Sequence, residues 1–533
     1  MTEELTELPL NPSHAASDRG AVSAPPEQQF KRIPYHGLIT ASVLLATVMQ
    51  SIDSTIANVA LPQMQGTLSG TQDQMGWVLT SYIVASSITI PLTGWLAGQL
   101  GRRRVFLVSI FVFTLSSAMC GLATSLPEIV LFRFLQGIGG AALVPLSQSV
   151  LLDINPPKDY GRAMSLWGMS VFMGPILGPA LGGWLTQDFS WRWIFFINVP
   201  IGIVAFTILL FILPEKRNAQ SSRFDFLGFS MLAISITAFQ MMLDRGQLLD
   251  WFSSTEIITE ASIAACAFYI FCVHTISSPQ PFLNLSLFKD RNFVISNIFI
   301  FIVAADLNAT LALTPSLLQE QLQYPAVLTG LVMVPRGIGM FVATLIVGRV
   351  ITRIDGRALM ALGLMLYAYS LVQMTHFSLL MDNWPIITSG FIQGLGFGFA
   401  YVPLSAIAFT TLPSNLHNEG TAFFNLLRSV GSSVGISVMT FLLTQNIQRL
   451  HASLAENITP YSVASSPAMV SAHVTTDTLP GLAALNAMIT NQAAMIAYID
   501  DFRLMMLLTL PTLPLLLLIK KVKPAAGIPA ALD

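Results

Sequence analysis

The chain has 533 residues, of which 53% are hydrophobic and 10% are charged, and its formal net charge is −2. A soluble domain carries roughly 25% charged residues, so the composition excludes an ordinary water-soluble protein. The small net charge gives no indication of a nucleic-acid partner. The three cysteines lie in apolar runs without metal-ligand spacing, so we expect no metal site, no cofactor and no disulfide framework.

The chain begins with a polar segment, residues 1–36, which lacks the apolar core of a signal peptide and is expected to be a flexible cytoplasmic tail. Fourteen later runs have the roughly 20 mostly apolar residues that a membrane-spanning helix needs. They lie near 37–61, 76–97, 105–124, 128–151, 162–185, 193–213, 226–243, 256–276, 293–314, 327–349, 358–378, 384–411, 420–443 and 503–519. The sequence therefore predicts an all-α integral membrane protein.

The distribution of basic residues predicts the orientation of these spans. If the N-terminus is cytoplasmic, most of the 26 Lys and Arg residues fall on the cytoplasmic side. The outer side then receives only Arg192, Arg245, Arg449 and Arg503. This bias predicts a multi-pass protein with both termini in the cytoplasm, and it favours an even number of spans.

An internal repeat relates the two ends of the chain. Residues 134–139 (FLQGIG) resemble residues 391–396 (FIQGLG), and a Val-Pro-Leu-Ser sequence follows each copy, at 144–147 and 402–405. The copies fall in spans four and twelve, so span n pairs with span n+8. Parallel repeats of this kind build transporters whose binding site lies between the halves. The predicted domains are a six-helix bundle at 37–213, two inserted helices at 214–290, a second six-helix bundle at 291–519 and a cytoplasmic tail at 520–533.

One long connection, residues 444–502, separates spans thirteen and fourteen and is expected to face outward. It contains an amphipathic stretch from Leu479 to Tyr498. Long loops in compact proteins are functional or disordered, and we interpret this one as a lid or a surface for a partner protein.

Charged residues inside spans are costly and are usually functional. Asp53 in span one and Arg133 in span four lie at similar depths, so they are candidates for proton coupling, with a fixed structural ion pair as the alternative. Asp306 and Arg336, in spans nine and ten, form a second set, which is either a structural or gating ion pair or, through Asp306, part of the coupling. Arg428 in span thirteen has no obvious partner.

Glycine-rich motifs mark two candidate gating and packing sites. The first follows span two and contains Gly94, Gly101, Arg102 and Arg103, where glycines permit a tight turn and arginines can bond neighbouring carbonyls. The second lies in span five, where glycines spaced by four residues give one smooth helix face for close packing. Its members are Gly174, Pro175, Gly178, Pro179, Gly182 and Gly183.

Nothing in the sequence has the spacing of a catalytic triad or a phosphate-binding loop, so we do not expect an enzyme. Between the halves, an apolar cavity with a few polar anchors would suit amphipathic ligands. The candidate cavity residues are Asn58, Gln136, Trp167, Gln393 and Tyr401. A non-transporting receptor or scaffold is the less favoured hypothesis, because it leaves the intramembrane charges unexplained.

The motifs around Asp53, 94–104, 133–139 and 174–183 resemble those of the major facilitator superfamily. Residues 51–60 and 193–202 resemble the fourteen-span drug:proton antiporters, and within that branch the EmrB type. The resemblance implies a major facilitator fold of two six-helix bundles plus two inserted helices. One departure is Gly98, which stands where the family motif usually has an acidic residue.

The resemblance also implies a function. Proteins of this type are inner-membrane pumps of Gram-negative bacteria that export hydrophobic drugs in exchange for protons. They work with an EmrA-type periplasmic adaptor and a TolC-type outer-membrane channel. Asp53 and Arg133 would then belong to the coupling machinery, and the proton gradient would be the energy source. A dedicated exporter of one metabolite, fatty acid or siderophore remains the alternative.

Overall fold

The structure, a computed structural model, describes residues 34–68, 72–156, 159–215, 224–351, 353–456 and 478–520. Within these ranges the chain is helical, with short turns and 3-10 segments between helices. The helices are α1 (His36–Leu68), α2 (Gln72–Leu100), α3 (Arg102–Leu122), α4 (Leu126–Ala141), α5 (Leu143–Ile154), α6 (Tyr160–Asp188), α7 (Trp193–Phe196), α8 (Asn198–Ile212), α9 (Phe226–Arg245), α10 (Thr255–Ser277), α11 (Arg291–Ser316), α12 (Ala326–Val350), α13 (Gly356–Met374), α14 (Trp384–Thr410), α15 (His417–Glu456), α16 (Leu479–Thr509) and α17 (Thr512–Leu515).

The described residues contain fourteen helical stretches that are long and apolar enough to cross a membrane, as the sequence predicted. Two of these spans are broken into consecutive helices, α4 with α5 and α7 with α8. Pro145 lies just beyond the first break and Pro200 just beyond the second, and proline supplies no backbone N–H to the preceding turn. Since the number of spans is even, the two ends of the bundle can be called the terminal side, where the chain enters and leaves, and the distal side.

The predicted start of the last span was wrong. A span at 503–519 was expected after an outer loop, but α16 already begins at Leu479 and runs through that boundary to Thr509. The charged residues at 500–503 do not interrupt this helix. Arg503 and Asp500 pair on its exposed side, while Asp501 and Phe502 are buried.

The predicted loop 444–502 is therefore largely helical where it is described. Helix α15 continues to Glu456, and its 40 residues correspond to about 60 Å, twice the thickness of a bilayer core. His451 on α15 lies 3.0 Å from the Asn486 side chain on α16, so the two helices remain together at this level. The connecting residues 457–477, the tail before residue 34 and the tail after Lys520 lie outside the described residues.

The sequence repeat corresponds to a repeat in packing. Gly137 of α4 lies against the backbone of Tyr82 in α2, and Gly394 of α14 lies against the backbone of Arg336 in α12. In both places a Cβ atom would overlap the neighbouring helix, so glycine allows the helices to touch. Spans two and four thus pack as spans ten and twelve do, which supports the predicted two-bundle organisation; its boundaries stay a prediction.

Candidate functional site

A buried charge network lies in the middle of the first half. The Asp53 carboxylate on α1 accepts a hydrogen bond from Arg133 Nη1 at 2.8 Å. Its other oxygen accepts from Gln136 Nε2 at 2.9 Å and from Asn198 Nδ2 at 2.8 Å. The side chains of Asp53 and Arg133 are 0% and 1% exposed. The structure thus brings together the pair that the sequence placed at similar depths, and all three donors suit the ionised carboxylate.

Arg133 connects this network to the rest of the first half. Its Nε donates to the Val78 carbonyl at 3.3 Å, and its guanidinium lies 4.4 Å from the centre of the Tyr82 ring. The Tyr82 hydroxyl in turn accepts from Gln50 Nε2 at 3.1 Å. Gln50 is a cavity residue, so Tyr82 links the buried ion pair to the space between the halves.

That space is a cavity of about 150 Å³ between the two halves. Helices α1, α6, α11, α14 and α15 contribute to its wall. The described lining residues are Gln50, Ser51, Ser54, Thr55, Val171, Phe172, Ile300, Ala304, Leu307, Asn308, Leu311, Phe397, Tyr401 and Arg428. Half of these residues are apolar and half are polar, so the cavity offers both apolar surface and hydrogen-bonding groups to a small molecule.

Of the predicted cavity residues, Tyr401 is in the lining and the other four are not. Gln136 belongs to the Asp53 network, because its amide is used by Arg133 and Asp53. Gln393 is fully buried, with neither amide atom hydrogen-bonded to a described residue. Asn58 is exposed one turn distal to Ser54, outside the described lining.

Trp167, the fourth, lies behind the wall and not in it. Its ring is stacked on Tyr401, with centroids 6.1 Å apart, and its Nε1 donates to Ser147 Oγ at 3.0 Å. Phe172 and Phe397 complete the cluster, each within 5.3 Å of the Tyr401 ring centre. These four aromatic rings form one cluster around Tyr401 at the wall of the cavity.

The two halves are joined on the terminal side of the cavity. Ser149 Oγ donates to Asn418 Oδ1 at 2.6 Å, and Asn425 Nδ2 donates to Gln148 Oε1 at 2.9 Å. All four side chains are buried. On the distal side, by contrast, Ser54 and Asn58 of α1 are exposed. The two halves are therefore closed together on the terminal side, and the cavity is more open on the distal side.

The motif after span two supports this closure. Gly101 has φ +88°, a conformation that residues with a side chain rarely adopt, and it begins α3. Arg102 then bonds the Ser149 carbonyl at 3.0 Å and Asp153 at 2.5 Å. Asp153 also lies 3.8 Å from His417 Nδ1 in the other half. In this chain, whose motif has Gly98 and no acidic residue there, the carboxylate that pairs with Arg102 lies on α5.

The adjacent arginines and Gly94 complete the motif. Arg103 donates to the Leu210 carbonyl, and Arg104 lies 3.1 Å from Glu215. Gly94 faces the other half, where an added Cβ would lie 3.0 Å from the Glu419 Cα. Gly94 therefore sits at a contact between the two halves.

Replacing Gly94 by alanine is expected to loosen the terminal side. The new methyl group would press on the backbone of α15, which cannot move aside as a side chain can, so the closed state should be destabilised by about 1–3 kcal/mol. Gly98→Ala is the matched control, since nothing lies within 4 Å of its Cβ position. Both changes would be made in a protein that carries Ser165→Cys, a buried position facing Gly348 of the other half, and serine at positions 120, 266 and 272. The rate of maleimide labelling at position 165 should rise for Gly94→Ala and stay unchanged for Gly98→Ala; equal rates would refute the gate.

The glycine motif of span five lies against span one. Added Cβ atoms at Gly174 and Gly178 would overlap Ser51 and Thr55 of α1, so the predicted smooth face is a close helix contact. Gly182 is buried, while Gly183 has open space around its Cβ position.

The same contact between α1 and α6 also supplies a hydrogen bond that a proline in α6 removes from its backbone. Pro175 has no N–H, so the Val171 carbonyl one turn earlier loses its helical donor. The Ser51 hydroxyl donates to that carbonyl instead, and Thr55 Oγ1 donates to the Gly174 carbonyl at 2.9 Å. Span one therefore supplies the hydrogen bond that Pro175 removes from span five, and a backbone carbonyl in lipid needs such a donor.

The predicted ion pair of Asp306 and Arg336 is absent among the described contacts. Asp306 accepts from the Thr509 hydroxyl at 2.8 Å, and Arg336 Nη2 donates to Thr314 Oγ1 at 3.3 Å. The depth argument failed because depth does not determine which helix faces meet: Asp306 on α11 faces Thr509 of α16, while Arg336 on α12 meets α11 at Thr314. Arg336 keeps two buried nitrogen atoms, Nε and Nη1, without a partner in the described part of the chain.

Sequence reasoning missed several residues of the site. Asn198 lies in the 193–202 motif, but the sequence did not predict its hydrogen bond to Asp53. An amide side chain at the start of an apolar run was an available signal. Gln50, Phe172 and Phe397 gave no such signal, because their role depends on which helix face meets the other half. Arg428 was recognised as an intramembrane charge, and the structure places it in the cavity wall.

Fourteen spans in two similar halves, closed together at one side of a central cavity, form the architecture of a membrane transporter. Residues 43–436 match the Major Facilitator Superfamily. The chain belongs to this superfamily; it is a membrane transporter and not an enzyme.

Individual relatives place it among the EmrB-type members. The chain is 38% identical over 427 residues to the Multidrug export protein EmrB of Escherichia coli K12, covering 80% of this chain and 83% of that protein. It is also 38% identical over 425 residues to the Fatty acid resistance protein FarB of Neisseria gonorrhoeae, covering 80% and 84%. The solved structure of the proton:xylose symporter XylE has a TM-score of 0.56 at 15% identity, covering 89% of this chain and 94% of that one, so the likeness is one of fold.

Proposed function

We propose that this protein exports hydrophobic or amphipathic drugs across the inner membrane in exchange for protons. The observation that carries the proposal is the buried Asp53–Arg133 pair and its connection to the cavity. Arg133 lies over the Tyr82 ring, and the Tyr82 hydroxyl is hydrogen-bonded to Gln50 in the cavity wall. The multidrug and fatty-acid export named for its relatives supports the substrate class.

Coupling would use the carboxylate of Asp53 as the proton carrier. In the structure its two oxygens are held by three donors, which suits the anion. A proton arriving from the distal side would neutralise Asp53 and weaken its bond to Arg133. Arg133 would then be free to shift, and Tyr82 and Gln50 would pass that shift to the cavity wall.

Alternating access would move the gate between the two sides of the cavity. In the structure, the two halves are joined on the terminal side by the Ser149–Asn418 and Gln148–Asn425 hydrogen bonds. Export requires a second state in which these bonds break and the distal side closes. Because the glycine face of α6 lies directly against α1, these two helices could slide past each other during this change without opening a gap between them. Asp306, a buried carboxylate in the second half, is a further candidate for coupling.

The partners and the location follow from the same proposal. With the terminal side in the cytoplasm, the basic residues 102–104 face inward, as the positive-inside rule requires. The extensions of α15 and α16 would then project into the periplasm, where they are the natural contact for an EmrA-type adaptor leading to a TolC-type channel.

The test is transport by purified protein in liposomes with an imposed pH gradient. The panel would contain hydrophobic drugs, uncouplers and medium-chain fatty acids. We expect substrate accumulation that depends on the gradient and is abolished when the gradient is collapsed. A response to one compound alone would favour a dedicated exporter, and a failure of the whole panel would refute the proposal.

A further inference from the structure

We propose that Arg428 and Tyr401 bind the negatively charged head group of substrates in the central cavity, so that the protein prefers amphipathic anions to cations of the same shape. This inference rests on the proposed export function and specifies its substrate class.

The charge of the cavity points to an anion. Arg428 is the only charged residue among the described residues of the wall. The two intramembrane carboxylates closest to the centre are occupied elsewhere. Asp53 is fully buried and bonded to three donors within the first half, and Asp306 is bonded to Thr509 beside a separate, smaller cavity. A cationic ligand would therefore meet a like charge with no carboxylate in the wall to compensate it.

Two unsatisfied donors lie at the same place. Arg428 Nε and the Tyr401 hydroxyl are buried and have no hydrogen-bond partner among the described residues. Both side chains line the same cavity. Buried polar groups are normally hydrogen-bonded, and exceptions often mark sites where a ligand belongs. A carboxylate or sulfonate would supply acceptors for both groups.

The position of Arg428 is fixed by its surroundings. Ser432, one turn later on α15, donates to the Arg428 carbonyl at 2.9 Å. Asn308 on α11 donates to the Ser432 hydroxyl, also at 2.9 Å. The backbone at Arg428 is thus tied to α11, the neighbouring part of the wall, which fixes where its side chain enters the cavity.

An apolar surface runs beside these donors. The four α11 residues Ile300, Ala304, Leu307 and Leu311 follow helical spacing and lie along one face of the cavity. Val171 and Phe172 of α6 also line it. A charged head at Arg428 and an apolar chain along α11 would fill the cavity together, which is the shape of an amphipathic anion.

The experiment measures binding of three matched ligands, decanoate, decanol and decyltrimethylammonium, to the protein in lipid nanodiscs, with empty nanodiscs subtracted. A hydrogen-bonded charge pair is expected to favour decanoate over the cation by about 10-fold or more. Arg428→Gln should weaken decanoate binding by about 10- to 100-fold and leave decanol binding within about twofold. Arg428→Glu should reverse the preference. Arg449→Gln, an exposed change on the same helix, is the matched control and should have no effect.

Two results would overturn the inference. The first is wild-type protein that binds the cation as tightly as decanoate. The second is Arg428→Gln that weakens all three ligands equally. Because the assay is run at one pH without a gradient, it measures the charge preference of binding and does not require gradient-driven transport. A protein that exports drugs but shows no charge preference would refute this inference alone, and one that shows the preference without transport would refute the proposed function alone.

Discussion

Replacing Asp53 by asparagine will abolish proton-driven export while substrate binding persists. The amide cannot gain or lose a proton, so the exchange of substrate for protons loses its carrier. Asp53 is fully buried behind the cavity and outside its described lining, so the binding surface remains. In liposomes with an imposed pH gradient, accumulation should fall to the level of protein-free vesicles, while equilibrium exchange of labelled for unlabelled substrate continues.

The control must separate coupling from stability. Asp53→Asn leaves the Arg133 cation buried without its counter-ion, and breaking such a pair costs about 3–5 kcal/mol. The double variant Asp53→Asn with Arg133→Gln removes both charges and should regain much of the thermal stability. If it recovers stability but not coupled export, Asp53 is the proton carrier. If it regains coupled export, the pair is only structural.

Replacing Gly174 by alanine will have the largest effect on the fold. The new methyl group would overlap the backbone of Ser51, so α1 and α6 must separate. That separation also breaks the bonds from Ser51 and Thr55 to carbonyls of α6. Overpacking costs about 1–3 kcal/mol, and the Val171 carbonyl, which has no helical donor because of Pro175, would add about 1–3 kcal/mol when left unsatisfied. We expect a large fall in thermal stability and no transport.

Gly183→Ala is the matched control in the same motif, because its Cβ position has open space. Its melting temperature and transport rate should equal those of the wild type. Similar behaviour of the two variants would mean that the contact between α1 and α6 is not tight, and the role assigned to the span-five motif would be wrong.

Much of the fold could be predicted because lipid imposes simple rules. Each apolar run had to become a helix that satisfies its own backbone, so fourteen spans could be counted directly. The repeat around Gly137 and Gly394 identified equivalent spans, because close packing of these spans demands a residue without a side chain. The pairing of Asp53 with Arg133 followed from depth alone, since a charge in this environment needs a partner nearby.

Other features depended on helix rotation and length, which hydropathy does not determine. The start of α16 was misplaced because Asp500, Asp501 and Arg503 resemble a loop in composition. Asp306 was wrongly paired with Arg336 because depth alone does not show that Asp306 faces Thr509, which lay inside the predicted last span. The cavity wall was mostly missed for a related reason, because it is formed by whichever faces of α11, α14 and α15 meet the first half.

The central claim is that Asp53 exchanges its proton when substrate binds. The most direct test measures proton release on addition of a transported drug to purified protein in weakly buffered solution, using a pH-sensitive dye. Wild-type protein should release protons in a fixed ratio to the substrate bound, and Asp53→Asn should bind the drug and release none. Equal release from both proteins would contradict the assignment of coupling to Asp53.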